Sequence, residues 1–303
     1  MHAIFRELRH LSEQSYENKA MTFGCVLDPK VLGGVELALF PDEFITAKKY
    51  KALSDGFRTA YHVSSDGHVL GFLDLEESDE PPLTGKHYFP KWAEPIARAS
   101  RSGKCGIALS RQGDILVFDE GTLRFTYRYG HWQYWNHTHL VNLVRDRARA
   151  QKVRPTITAQ IVRAIYRAAL DVSFRRSGGL FVILRNRRNV PEIVRSGDRI
   201  GDQSRSKPDE EFDEILQQRR IYSLPRATVV ELASLDGAIV VDNSGKILAY
   251  AAVLQPKKKG RLTGSEGSRT KAGIGASNYG IATKISSDGD IVIYHGAKEF
   301  IRM

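Results

Sequence analysis

The stretch from 156 to 184 constrains the fold of this chain more than any other. Ile157, Ile161, Ile165, Ala168, Ala169 and Val172 recur at helical spacing and form one apolar face, and Gly178-Gly179 then stops the helix. Thr156 or Thr158 is expected to cap its start, just after Pro155. Residues 180–184 follow at once and are all apolar, the pattern of a strand buried on both faces. An amphipathic helix that runs into a buried strand predicts an α/β architecture, with the helix laid on a sheet.

Other helical signals fall at 2–16, 90–101 and 137–150. The polar stretch 195–214, with Gly, Ser and Pro, reads as a loop or an exposed connection. From 227 onward the pattern reads as β-rich. Residues 227–234 and 238–254 read as strands, with a hairpin turning at Asn243-Ser244-Gly245 and a second hairpin turning at Asp288-Gly289. These hairpins expose a weak internal repeat: 63–75 resembles 241–254, and 108–121 resembles 284–297. Gly67 aligns with Gly245, and Ser110, Gly113 and Asp114 align with Ser286, Gly289 and Asp290. The agreement in order and spacing suggests two halves of one fold, with a boundary near 137–155. The 303 residues are about two domains' worth of chain.

Composition adds one asymmetry. Residues 1–150 hold 19 Lys+Arg and 19 Asp+Glu, whereas 151–303 hold 26 and 16, so the whole net charge of +10 belongs to the second half. A field of that sign predicts an anionic partner, nucleic acid or a nucleotide polyphosphate, or else an ordinary solvated basic face. The longest apolar runs are strand-sized, so no membrane span is expected. Charges interrupt what would be a signal-peptide core in residues 1–14. Cys25 and Cys105 make neither a disulfide framework nor a metal-ligand spacing, and a cytoplasmic setting is the expectation.

Two motifs carry possible chemistry. Asp236-Gly237-Ala238 opens an apolar strand; a carboxylate there, followed by two minimal side chains, lets a ligand reach the backbone while the acid holds a metal or a hydroxyl proton. The alternative is a plain Asp-Gly turn. Residues 264–275 form a Gly/Ser-rich loop leading into a short helix. Arg269 and Lys271 lie in its first turn, so it is either a phosphate site or a flexible basic loop. The spacing of a Walker loop is absent.

Taken together, the order of these elements resembles the diadenylate cyclase family, the enzymes that make cyclic di-AMP. Asp236-Gly237-Ala238 matches that family's first motif. Gly267, Ser268, Arg269, Thr270, Lys271 and Ala272 match its second motif, Gly-Thr-Arg-His-Arg followed by Ala, with Ser268, Thr270 and Lys271 as departures. The likeness covers about 156–303. It implies a mixed, twisted sheet flanked by helices over 141–303, preceded over 1–140 by a related α/β domain that has lost its site near Arg58-Thr59-Ala60 and serves as a sensor.

The resemblance further implies that two such domains face each other in a homo-oligomer, each holding one ATP, with Mg²⁺ or Mn²⁺ on Asp236. Gly237 and Ala238 would lie against the nucleotide and Leu254 against adenine. Gly267, Ser268, Arg269, Thr270 and Lys271 would hold the triphosphate, with Asp236, Arg269 and Lys271 as the catalytic groups and Ser286 near the phosphates. Lys271 keeps a charge but loses the two-pronged geometry of Arg. Thr270 removes an imidazole, and Ser287 replaces an acid. A catalytically degenerate nucleotide sensor is the alternative. A nucleic-acid surface built from Arg185, Arg187, Arg188 and the lysines at 257–259 is a further one, with few aromatics beside those cations. His131, Trp132, Tyr134, Trp135, His137 and His139 read as the aromatic, polar end of the first half rather than as a metal site.

Overall fold

The computed structural model describes residues 2–13, 15–16, 19–33, 35–38, 53–77, 80–149, 154–204, 206–258 and 267–303. The candidate-loop residues Gly264, Ser265 and Glu266, and the cations Lys259 and Arg261, lie outside the described residues. The chain divides into two compact units, Met1–His137 and Thr138–Met303. Both are mixed α/β, with sheets that combine parallel and antiparallel strands and carry helices on their faces. No helix among the described residues is long and apolar enough to cross a membrane.

In the first unit, α1 (His2–Ser12) precedes strands β1 (Phe23–Asp28), β2 (Val35–Ala38), β3 (Thr59–Ser64) and β4 (His68–Asp74). Helix α2 (Glu94–Ala99) comes next, then β5 (Cys105–Leu109), β6 (Ile115–Asp119), β7 (Thr122–Arg128) and β8 (His131–Tyr134). The sheet order is β8-β7-β6-β5-β1-β3-β4-β2, with β1 and β3 parallel. Ile4, Leu8 and Leu11 of α1 pack on Phe23, Cys25, Ile107 and Ile115, which places the core between α1 and one sheet face.

The second unit contains α3 (His137–Ala148, all but its first residue), α4 (Pro155–Arg175), β9 (Gly179–Leu184), α5 (Lys207–Gln217), α6 (Arg226–Ser234), β10 (Ala238–Val241) and β11 (Ile247–Ala252). It ends with α7 (Ser268–Ala276), β12 (Gly280–Ile285), β13 (Ile291–His295) and β14 (Lys298–Arg302). Its order is β11-β10-β9-β12-β13-β14, with β9 and β10 parallel. This is the order β4-β3-β1-β5-β6-β7 of the first unit, strand for strand and direction for direction. The hairpin turns match in detail. Gly113 and Gly289 each donate to the serine three residues back, Ser110 and Ser286, at 3.0 Å, and the amides of those serines donate to Asp114 and Asp290.

Several elements differ from the sequence expectation. Residues 227–234 form α6 rather than a strand, because Val229, Val230 and Ala233 at helical spacing bury against α4, and this packing outweighs the β preference of valine. The polar stretch 195–214 contains a 3₁₀ turn, Ser196–Asp198, and the start of α5, which Ser206 caps by accepting from the Asp209 amide. Neither Thr156 nor Thr158 caps α4. Arg154 stands at the cap with no side-chain bond, and Pro155 sets the first turn. Helix α1 stops at Ser12 rather than at 16, α2 is preceded by the 3₁₀ turn Lys91–Ala93, and the last hairpin gains a third strand, β14.

Candidate functional site

At the ends of the parallel strands β9 and β10 where they begin, four connections converge. The first is the α4–β9 turn. Arg176 ends α4 in the left-handed region, and Gly178 (φ +70°) follows. A Cβ built on Gly178 would stand 2.6 Å from Nη1 of Arg269, so the guanidinium lies directly over this glycine, whose positive φ is what disfavours a side chain there. The second is the α6–β10 turn, which carries Asp236 and Gly237. Helix α6 is fastened to α4 by Arg226, whose Nε and Nη2 donate to the Asp171 carboxylate at 2.6 and 2.8 Å; this fixes where the turn falls. Gly237 (φ +118°) has no room for a side chain, since a Cβ would meet the Ala251 carbonyl carbon at 2.4 Å.

The third connection is the amino end of α7. Gly267 is its cap, Ser268 and Lys271 are exposed, and Arg269 and Thr270 are half-buried. Arg269 Nη2 lies 3.4 Å from Oδ1 of Asp236, which is fully exposed. The pair is open to water, so holding it costs and gains little. The fourth is the β12–β13 turn. Gly179 pairs with Ile285, which brings Ser286 to this end of the sheet. The Ser286 hydroxyl donates to the Asp290 carbonyl at 3.3 Å, and its bond to Asp288 holds that carboxyl below the usual range.

Two motifs separated by 33 residues in sequence therefore meet through Asp236 and Arg269. Ala238 is buried as the first residue of β10 and pairs with Ala252. Leu254 belongs to the core beside Ile193 and Val194, while its neighbour Val253 and Leu235 are exposed. Arg185, at the far end of β9, is about 20 Å along the strand from Gly179 and contacts His295. Lys257 bonds Glu192 at 3.0 Å and Lys258 lies over the Tyr279 ring. Much of the basic excess is thus distributed away from Asp236. Sequence reading gave no role to Gly178 or to the Asp171–Arg226 pair. The Gly-Gly after an apolar helix marks a stop, and nothing local says which side chain the gap receives.

The donor set bears on a metal. Among the described residues no three His, Cys, Asp or Glu side chains gather into a cluster. A single exposed carboxylate beside hydroxyl and cationic groups fits a Mg²⁺ or Mn²⁺ ion that arrives on a polyphosphate and keeps several waters, since such ions commonly use one or two carboxylates plus substrate oxygens.

His137 is buried between Tyr88 and Trp135, with Nε2 donating to the Leu123 carbonyl at 2.7 Å, and burial lowers its pKa to about 4. Trp135 donates to Thr126 at 2.9 Å. His131, Trp132 and Tyr134 lie on β8, at the sheet edge.

No protein-family model matches the chain, and no curated protein matches it. Among solved structures it is similar to a hypothetical membrane spanning protein from Bacillus cereus, with a TM-score of 0.34 and 19% identity over 54% of this chain and 74% of that one. It is also similar to DacA from Staphylococcus aureus, solved as a double mutant, with a TM-score of 0.32 and 18% identity over 46% of this chain and 85% of that one. Neither likeness is close enough to carry an argument about activity.

Proposed function

We propose that the second unit is a diadenylate cyclase domain that condenses two ATP into cyclic di-AMP and two pyrophosphates. The observation that supports this reading best is the meeting of Asp236 with Arg269 over Gly178, because an acid and a cation of the kind that binds phosphate then share one edge. Opening the exposed ion pair frees both partners for a nucleotide. Gly237 offers backbone without a side chain, so a sugar or base can lie close to it. Arg269, with Lys271 and Ser268 at the amino end of α7, holds the triphosphate and neutralises charge that grows on the departing pyrophosphate. Mg²⁺ or Mn²⁺, when bound, supplies Lewis-acid activation of the phosphate and lowers the pKa of the attacking hydroxyl.

In each half-reaction one 3′-hydroxyl attacks the α-phosphate of the other ATP. The new ester bond forms as the bond to pyrophosphate breaks, and the hydroxyl proton leaves by way of Asp236 or water. One site holds one nucleotide, so two sites from two copies must face each other. The departures at Thr270 and Lys271 are tolerated in this reading because Asp236 and Arg269 carry the reacting end.

The test is incubation with ATP and either metal ion, with mass spectrometry for cyclic di-AMP. Product is expected from the native protein and is expected to fall about a hundred- to a thousandfold in Asp236→Asn, the order of loss seen when a charge-stabilising group is removed. ATP binding without product in both metals, across protein concentrations, would replace the cyclase by a nucleotide sensor.

A further inference from the structure

One face of the first unit's sheet is open where its counterpart in the second unit is closed. Beside α1, Val117 of β6, Phe125 of β7 and Tyr134 of β8 line a groove of about 790 Å³, with Phe5 and Trp132 forming its wall. Phe125, Trp132 and Tyr134 are 43%, 47% and 59% exposed, although Trp132 meets the Phe5 and Tyr127 rings and Phe125 meets Tyr134. A second hollow of about 470 Å³, beside Arg6, Arg9 and Tyr127, shares Phe5 and Trp132 with the first. Exposed aromatic surface of this extent is unusual unless something binds it.

The second unit indicates what such a face receives. The matching turns put Ile107 and Val117 in the register of Thr283 and Ile293. In the second unit α3 lies over that face with Leu140, Val141 and Val144, leaving a gap of about 10 Å³. Arg147 of the same helix stands 5.1 Å from the centre of the Phe300 ring. The same sheet face, in its second rendering, is therefore a seat for an amphipathic helix.

Charge narrows the occupant. The groove's own charges, Asp119 and Arg124, pair with each other at 3.5 Å, while Arg6 and Arg9 of the adjoining hollow outnumber Glu13, and Arg9 lies over the Tyr127 ring. A helix for this seat needs apolar residues on one side and carboxylates around them. Helix α5 has that form. Its inner side is held by Leu216 and by Asp213, which accepts from the Gly201 amide. Phe212 and Ile215, three residues apart and on one side, are 38% and 61% exposed, and Asp209, Glu210, Glu211 and Glu214 surround them in the exposed set.

We infer that two copies of this chain associate by seating α5 of each on the aromatic groove of the other's first unit. Each copy offers one groove and one such helix, and seating both at once would give a twofold dimer, in the manner of helix-in-groove recognition. It does not rest on the nucleotide reading, and its test needs no ATP.

The test is sedimentation velocity over a range of concentrations. The native chain is expected to show a monomer–dimer equilibrium. Ile215→Glu and Phe125→Glu are each expected to raise the dissociation constant at least tenfold; both positions are exposed, so unchanged circular dichroism and melting temperature serve as the folding control. Mixing these two variants leaves one intact groove and one intact helix, and is expected to restore association in part. Cys105 lines the groove, so Ile215→Cys is expected to give an intermolecular disulfide between position 215 and Cys105 under mild oxidation, read as linked peptides. A chain that stays monomeric throughout would overturn the inference. So would a dimer whose constant neither substitution moves, or cross-linked peptides that map elsewhere.

Discussion

The two units share a strand order and differ in what hangs on it. At the entrance to β10 stand Asp236 and Gly237; at the corresponding entrance to β3 stand Arg58 and Thr59. Arg58 is occupied with Asp55 at 3.2 Å, and Thr59 donates to the Leu53 carbonyl. The helix that follows the second hairpin strand is the nine-residue α7 in one unit and the six-residue α2 in the other, where the turn before it ties Lys91 to Glu94. Common topology supplies an address at the sheet edge, and the connecting residues decide whether that address brings Asp236 to Arg269 or holds a set of local ion pairs. The same contrast holds for one equivalent position in the hairpins. Asp114 is buried and accepts two bonds from Arg128, at 3.1 and 3.0 Å, while its counterpart Asp290 is only half-buried and lies 3.4 Å from Arg302.

That contrast gives the largest expected effect on stability. Asp114→Ala takes from the buried Arg128 guanidinium the carboxylate to which it donates twice, and is expected to cost about 3–5 kcal/mol. Asp290→Ala breaks a pair that water already screens and is expected to cost about 1 kcal/mol or less. Chemical denaturation of both variants checks the difference, and equal losses would show that the two hairpins are not used differently. Next in size is a pH effect confined to the first unit. Burial lowers the pKa of His137 to about 4, so the unfolded chain takes up its proton first as pH falls. The associated stability is present above the ordinary histidine range and is lost as pH falls through that range toward 4, by about 3 kcal/mol in all. A His137→Gln variant is expected to flatten that part of the stability curve.

The smallest effect concerns the paired serines. Ser110 accepts from the buried Asp114 amide at 3.0 Å, so Ser110→Ala is expected to cost about 1–2 kcal/mol. Ser286→Ala is expected to stay within about 0.5 kcal/mol of the native chain while weakening nucleotide binding severalfold, measured by calorimetry.

These comparisons also show what a single sequence makes legible. The hairpins at Gly67, Gly113, Gly245 and Gly289 were readable because a turn needing positive φ is a local demand, met by one residue type between alternating apolar residues. Their nearly equal offsets, 178 residues from Gly67 to Gly245 and 176 from Gly113 to Gly289, carry the signal of a repeat in the sequence itself. Helix α6 was misread because Val229 and Val230 look like a strand until α4 is placed beside them. Helix α5 reads as a connection because Phe212, Ile215 and Leu216 are its only apolar residues in a stretch otherwise rich in Gly, Ser, Pro and charge; Ser206, Pro208 and Asp209 are the usable start signal. Within the candidate site, Asp236 and Arg269 were each visible as motifs. Their contact over Gly178 was not, since it depends on the α4–β9 turn, 91 residues before Arg269 in the chain.

The contrast between an equipped edge and an unequipped one is tested most directly by single-turnover reaction of the full chain with radiolabelled ATP, Mg²⁺ or Mn²⁺, comparing Asp236→Asn with Arg58→Ala. The account predicts cyclic di-AMP from the native chain and from Arg58→Ala, and a loss of about a hundred- to a thousandfold in Asp236→Asn. Product formation that survives Asp236→Asn, or that falls as far with Arg58→Ala, would contradict it.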